Sequence, residues 1–208
     1  MAEPEVLVVR TGTANLASVL AGLKRAGAEP RVTEDPRDVL QAGRLVLPGV
    51  GTLGAAMERL RATGLVEPLR ARIGEGRPIL AVCLGMQLLA KASDESEGAR
   101  GLGAVESRAT RFPAGLRVPQ LGWNRIVPEP GCSLLEEGYV YFANSFRFET
   151  PPGGWKAAMA DYGGPFVAAM ERGPQLACQF HPELSGRFGL ELIRRWLETT
   201  GAKGGGSC

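Results

Sequence analysis

A cysteine closes the apolar run Ile79-Leu80-Ala81-Val82-Cys83, and Leu84-Gly85-Met86-Gln87-Leu88-Leu89 follows without a break. A thiol where a buried strand turns into a helix is well set for attack on a carbonyl. The helix end, with its dipole and free N–H groups, favours negative sulfur. The N–H of Leu84, next after the sulfur, can stabilise the oxyanion that forms. Gly85 keeps a side chain away from that approach. The plain alternative is a small buried hydrophobe, since free cysteines are often buried. The stretch by itself leaves both open.

The chain holds one histidine, His181, so any mechanism that needs an imidazole has only this one. In the run from Gln175 to Glu183, Leu176, Cys178 and Phe180 face one way, and Gln175, Ala177 and Gln179 the other. His181 continues the second set, and Pro182 cannot continue a central strand, so the ring stands at a strand exit. Glu183, two residues on, can reach back to orient it. Nucleophile, base and orienting carboxylate are the parts of an acyl-transfer triad. A lone histidine is more often structural; a carboxylate two residues on and a cysteine at an elbow shift the balance to catalysis. A second oxyanion donor is expected from another strand-to-helix loop, and Pro48-Gly49-Val50-Gly51 could aim the Val50 N–H inward. An ordinary turn is the alternative there. The loop lacks the Gly-Lys-Ser/Thr ending of a phosphate loop, and Thr11-Gly12-Thr13-Ala14 lacks the dinucleotide spacing, so no cofactor is expected.

The elements that must position these groups follow from periodicity. Val6-Leu7-Val8-Val9 and Arg44-Leu45-Val46-Leu47 are short continuous apolar runs, as in strands covered on both faces, and 30–33 is a weaker strand. Leu16, Val19, Leu20 and Leu23 recur at helical spacing, with Asn15 placed to cap and Gly27 to stop the helix. Helical patterns pass through 57–60 and 65–73, and a strand over 78–82 leads into Cys83. Strand and helix alternate in this way over the first ninety residues, as in a parallel sheet with helices on both faces. The later half reads as strands over 102–107, 118–123, 139–143, 156–162, 166–171 and 175–180, punctuated by Pro and Gly clusters. A helix over 187–199 closes the pattern. The expected fold is α/β: a single three-layer domain over 1–200, with a central mostly parallel sheet and an antiparallel extension in its C-terminal half. Residues 201–208 read as a flexible Gly-rich tail.

Composition narrows the partners. The 208 residues are 44% hydrophobic and 22% charged with a net charge of +2, which gives no field toward nucleic acid or a membrane. No apolar run reaches the roughly 18 residues of a membrane span. The acidic start Met1-Ala2-Glu3-Pro4-Glu5 is unlike a secretory signal, and the expected location is the cytoplasm. Cys83, Cys132, Cys178 and Cys208 form no Cys-x-x-Cys pair, and with one histidine no metal site is expected.

Together, "AVCLGMQLL" and "FHPE" resemble the class I, triad-type glutamine amidotransferases, over about residues 5 to 198. Within that family, "PGVGTLGAAM", "PQLGWNRI" and "YFANSFRF" are similar to the glutaminase subunits of imidazole glycerol phosphate synthases. The resemblance implies that Cys83 is the nucleophile, His181 the acid/base and Glu183 its partner. It implies an oxyanion hole from Val50 and Leu84, and a glutamine site held by Gly51, Gln87, Ser145 and Phe146. It implies a partner, the (β/α)8-barrel cyclase subunit, met by Asn15, Trp123 and Asn124. A core aromatic is the alternative for Trp123. The chain departs from the family at Ala81, where the elbow usually begins with glycine. It departs again over Arg10–Asn15, where the family commonly has Asp-Tyr-Gly-x-Gly-Asn, and at Asn144 and Phe146, where it has histidine and tyrosine. Two other functions fit the same residues: glutaminase subunit of a different synthase, such as pyridoxal phosphate synthase, or a catalytically silent adaptor.

Overall fold

The computed structural model describes residues 3–12, 15–96 and 98–201. Its first half alternates as the periodicity requires: β1 (Glu5–Val9), α1 (Leu16–Arg25), β2 (Glu29–Thr33), α2 (Pro36–Gln41), β3 (Leu45–Gly49), α3 (Leu53–Ala62), α4 (Val66–Gly74), β4 (Ile79–Cys83) and α5 (Leu84–Leu88). The second half carries β5 (Ala92–Ser93), β6 (Arg108–Arg111), β7 (Gln120–Pro128), β8 (Gly138–Asn144), β9 (Phe146–Arg147), β10 (Lys156–Asp161), β11 (Pro165–Arg172) and β12 (Gln175–Cys178). A 3₁₀ turn, Pro182–Leu184, and the helix α6 (Gly186–Gly201) complete it. Gly201 is thus the last residue of α6, and the rest of the expected tail lies outside the described residues.

Nine strands form one sheet in the order β2-β1-β3-β4-β12-β11-β10-β7-β8. The first five run parallel, and from β11 outward each pairs antiparallel with its neighbour. The antiparallel extension therefore grows off the side of β12. A small sheet, β5-β6-β9, was not foreseen.

Alternation along the central strands divides the core into two layers. Leu7, Val9, Leu45, Leu47, Ala81 and Ala177 pack with residues of α2 to α5, such as Val39, Met57, Leu60 and Ile73. Val6, Val8, Val46, Val82, Leu176 and Cys178 pack on the other side with α1 and α6 through Val19, Leu23, Ile193 and Trp196. The expected facing of Leu176, Cys178 and Phe180 away from Ala177 holds.

Three elements differ from the sequence reading. The run 102–107 is irregular, and the strand there is β6, Arg108–Arg111, which lacks an apolar pattern and pairs with only four residues in all. The strand expected over 118–123 starts at Gln120 and continues to Pro128; its more buried side begins with Gln120, Gly122 and Asn124, too polar and small to mark the length by apolar alternation. α2 had no periodic signal because it is only one and a half turns long. Its signal is local: Asp35 caps it by accepting from Arg37 N at 2.8 Å, and Pro36 stands at the first helical position.

A buried arginine ties α2 to the sheet. Arg72 on α4 is wholly buried. Its guanidinium donates to the carbonyls of Val39 at 3.0 Å, Ala42 at 2.8 Å and Pro78 at 2.7 Å. These are carbonyls at the end of α2 and the entrance to β4, left open where the elements stop. Burial pushes the Arg72 pKa down to about 10.

Candidate active site

Cys83 is the last residue of β4 and the residue before α5. Its backbone sits at φ 54°, ψ −111°, and it is the one non-glycine residue with positive φ among those described. Such a conformation costs about 1–3 kcal/mol and persists only where the surroundings impose it. The imposition is visible in two glycines. A Cβ on Gly85 would lie 1.9 Å from the Leu47 carbonyl oxygen, so α5 can leave β4 steeply only with no side chain there. A Cβ on Gly49 would meet Leu84 Cβ at 3.0 Å. Gly85 therefore serves the packing of α5 on β3 rather than clearing the way to the sulfur. Gly51, at φ +88°, is the glycine of the facing loop whose conformation other residues avoid.

Topology brings the imidazole to the sulfur. β12 pairs parallel with β4, with Cys178 opposite Val82, so both strands end at the same edge of the sheet. His181 emerges there, and its N–H donates to the Tyr141 carbonyl on β8 at 3.0 Å. The turn is tied again by Ser185 Oγ, which donates to the His181 carbonyl at 2.6 Å and accepts from Tyr141 N at 3.0 Å. The ring lines the same cavity as the Cys83 thiol, which is near enough to raise its pKa. Its Nδ1 lies 2.9 Å from Glu183 Oε1. Both His181 and Glu183 are buried. Burial works against charge on the ring, but the Cys83 and Glu183 side chains outweigh it and push the His181 pKa up to about 10.

Glu183 is held from α1. Arg25 donates to its carbonyl at 3.1 Å, and Gly22 faces its side chain so closely that an added Cβ would come within 2.7 Å of Glu183 Cβ. The helical spacing of Leu16, Val19, Leu20 and Leu23 carries no signal for Gly22. Only the crossing of α1 over the 3₁₀ turn reveals its purpose.

The thiol and ring open on a cavity of about 340 Å³ lined by Val50, Gly51, Cys83, Leu84, Gln87, Glu95, Ala143, Asn144, Ser145, Phe146 and His181. The expected nucleophile, base, oxyanion and substrate residues thus share one wall-to-wall space, with Glu183 behind the ring. Asn15 lines a separate void of about 10 Å³ beside His181 and Glu183, and its side chain caps α1 by accepting from Ser18 N at 3.4 Å. Trp123 and Asn124 lie outside the cavity. Trp123 is 57% exposed and stacks edge-on with Tyr141, so it is not a core aromatic. The Asn124 amide is engaged within the chain, donating to the Asp161 carbonyl at 2.8 Å.

Three further residues belong to the site without having been expected there. Glu95 is the one acidic side chain of the cavity wall, and its Oε2 accepts from Leu53 N, the first N–H of α3, at 3.0 Å. Burial raises its pKa, against the Leu53 hydrogen bond. Asn144 donates to the Phe146 carbonyl at 3.0 Å. Gln179, fully buried, lies between Gln87 and Cys83. No local pattern marks Glu95, whose loop lacks regular structure. Gln179 was visible only as one position of an alternating strand.

A strained thiol at a strand-to-helix elbow, backed by a paired imidazole on a neighbouring strand, belongs to acyl-transfer enzymes. Residues 9–199 match the model of the family "Glutamine amidotransferase class-I", and the chain belongs to that family. It is 41% identical over 198 residues to the imidazole glycerol phosphate synthase subunit HisH of Escherichia coli K12, covering 93% of this chain and 98% of that one. To the subunit of the same name from Symbiobacterium thermophilum it is 40% identical over 195 residues, 92% of each chain. Among solved structures, one titled a glutamine amidotransferase superposes with a TM-score of 0.76 at 24% identity, covering 94% of this chain and 98% of that one. A putative GMP synthase subunit from Thermoplasma acidophilum superposes at 0.72 with 17% identity, covering 97% and 96%. These two likenesses bear on the fold, which is the three-layer α/β arrangement expected.

Proposed function

We propose that the chain is the glutaminase subunit of an imidazole glycerol phosphate synthase, hydrolysing L-glutamine to glutamate and ammonia in histidine biosynthesis. The observation that carries this is Cys83 on its positive-φ elbow, sharing one amino-acid-sized cavity with a ring whose Nδ1 lies 2.9 Å from Glu183.

The chemistry follows from the geometry. Cys83 sulfur bonds to the carboxamide carbon of glutamine, and the C=O pair moves onto oxygen. The N–H groups of Leu84 and Val50 receive that oxyanion; losing one such donor costs about two to three orders of magnitude in rate. His181 gives its Nε2 proton to the amide nitrogen, the C–N bond breaks, and ammonia leaves a glutamyl thioester. The same nitrogen then takes a proton from water as its oxygen adds to the thioester carbon. The C–S bond breaks, glutamate departs and the sulfur is restored. Throughout, Glu183 holds Nδ1–H and balances the charge on the ring. Gly51, Gln87, Ser145 and Phe146 line the space for the substrate, and Glu95 supplies the carboxylate that an α-ammonium group requires.

Ammonia is a nucleophile only while unprotonated, so it must pass directly to an acceptor. The partner we propose is the (β/α)8-barrel cyclase subunit, docked over the exposed face of β7 and β8, where Leu121, Trp123 and Tyr139 stand out into solvent. Asn15 and Asn124 flank the docked partner in this reading. No helix among the described residues is long and apolar enough to cross a membrane. Free thiols at Cys83, Cys132 and Cys178 suit the reducing cytoplasm, where we place the enzyme.

The test is glutamine hydrolysis measured with and without a barrel cyclase and its nucleotide substrate. Expected are strong stimulation by the loaded cyclase and loss of essentially all turnover in Cys83→Ala. Ammonia release that survives Cys83→Ala would sink the proposal.

A further inference from the structure

Gln179 is as buried as any residue in the chain, and its amide has two neighbours at the heart of the site. Its Nε2 donates to Cys83 Sγ at 3.8 Å. Its Oε1 accepts from Gln87 Nε2 at 2.9 Å. The Gln87 nitrogen also donates to the Phe146 carbonyl, at 3.3 Å. The backbone of Gln179 is fixed independently, its N–H donating to the Ala168 carbonyl on β11 at 2.8 Å.

We infer that Gln179 is a positioning residue that orients two catalytic-site groups at once, the Cys83 sulfur and the Gln87 amide. The donor-acceptor inventory makes the orientation one-way. An amide has a nitrogen that only donates and an oxygen that only accepts. The Phe146 carbonyl accepts only, and so does Gln179 Oε1. Gln87 must therefore turn its nitrogen to both of them, which leaves its oxygen as the free group on a cavity-lining side chain. With Gln179 in place, Gln87 is an acceptor and reads an N–H of the bound amino acid; without it, one of the two constraints on the amide is gone. The same amide turns its nitrogen to the sulfur. A donor to sulfur steadies the thiolate that attacks and later leaves, and holds its side chain against the elbow. One buried side chain thus couples how the substrate is read to how the nucleophile is held.

This inference deepens the glutaminase reading and rests on it for the substrate, but not for the contact with sulfur. The test therefore has two arms, both on the full chain. In the first, iodoacetamide alkylation of Cys83 is followed by mass spectrometry of the Cys83 peptide, since other cysteines are present. Gln179→Leu is expected to slow it about tenfold at neutral pH, the size of one hydrogen bond to a charged group. In the second, steady-state glutamine hydrolysis is measured for Gln179→Leu, Gln87→Leu and the double variant. Gln179→Leu is expected to raise KM several-fold and lower kcat; in the Gln87→Leu background the KM effect disappears and the kcat effect remains. Gln179→Met, which fills similar space without an amide, repeats both arms should the leucine variant fold poorly. Alkylation at the wild-type rate in a folded variant, or a KM increase that simply adds to that of Gln87→Leu, overturns the inference. A wild-type chain that alkylates normally but releases no ammonia, even with loaded cyclase, overturns the glutaminase reading instead.

Discussion

His181 is the one imidazole of the chain, so its titration can be followed as a single set of resonances. Its pKa, pushed up to about 10 by Cys83 and Glu183 against the effect of burial, makes it cationic at neutral pH. Glu183→Gln and Cys83→Ala should each bring that value down in NMR titrations, because each removes a side chain that favours the charged ring. A ring that titrates near 6.5 in the wild type would refute the paired arrangement. The pH dependence of stability has a definite sign. The folded pKa lies above the unfolded value near 6.5, so the contribution of His181 is complete below about pH 6.5. It falls away as pH rises toward 10. Denaturation of wild type and His181→Gln at pH 6 and pH 10 should show the wild type losing more stability over that interval.

At the scale of elements, what matters is how closely they approach. α1 crosses the 3₁₀ turn at Gly22, where a Cβ would come 2.7 Å from Glu183 Cβ and 3.2 Å from its Cα. Alanine is the better helix former by about 1 kcal/mol, so Gly22→Ala should help α1 locally while displacing Glu183. The expected outcome is a fall in kcat of about tenfold or more together with a lowered His181 pKa, the signature of a misplaced carboxylate. An active variant with an unmoved His181 resonance would show that the turn yields freely. Arg72 does the complementary work between α2 and β4. Its replacement by methionine keeps the bulk but leaves the carbonyls of Val39, Ala42 and Pro78 buried without those donors. A loss of about 3 kcal/mol or more in urea denaturation is expected, with lysine recovering little of it because it lacks the planar fork.

For the whole molecule, the edge of the sheet joins the site to the outside. β8 is the last strand, its Tyr141 carbonyl accepts from the His181 N–H, and its Tyr141 ring lies against Trp123. The proposed docking face and the catalytic turn therefore share a strand. Trp123→Ala should weaken cyclase binding by about 2 kcal/mol or more, roughly thirtyfold in Kd, as an exposed aromatic anchor does. Because Trp123 is mostly exposed, the melting temperature of the free chain should scarcely change. Calorimetric titration with the cyclase measures the first and a thermal melt the second; unchanged affinity would move the docking face elsewhere.

Much of this was already present in local patterns. Apolar runs and helical spacings along the first ninety residues carry the parallel layer, because burial on both faces demands continuous apolar strands. The elbow at Cys83, the exit at His181 and the carboxylate at Glu183 are likewise local, each set by a few neighbouring residue types. What local pattern lacks is partnership across distance. Nothing near β12 says that it inserts beside β4; that pairing depends on which faces bury the most apolar surface once helices cover the sheet. The positive φ of Cys83 is imposed by contacts of Gly85 and Gly49 with other elements, not by its own residue type. Gly22, Glu95 and Gln179 act on groups far along the chain, so their parts in the site exist only after the elements have packed.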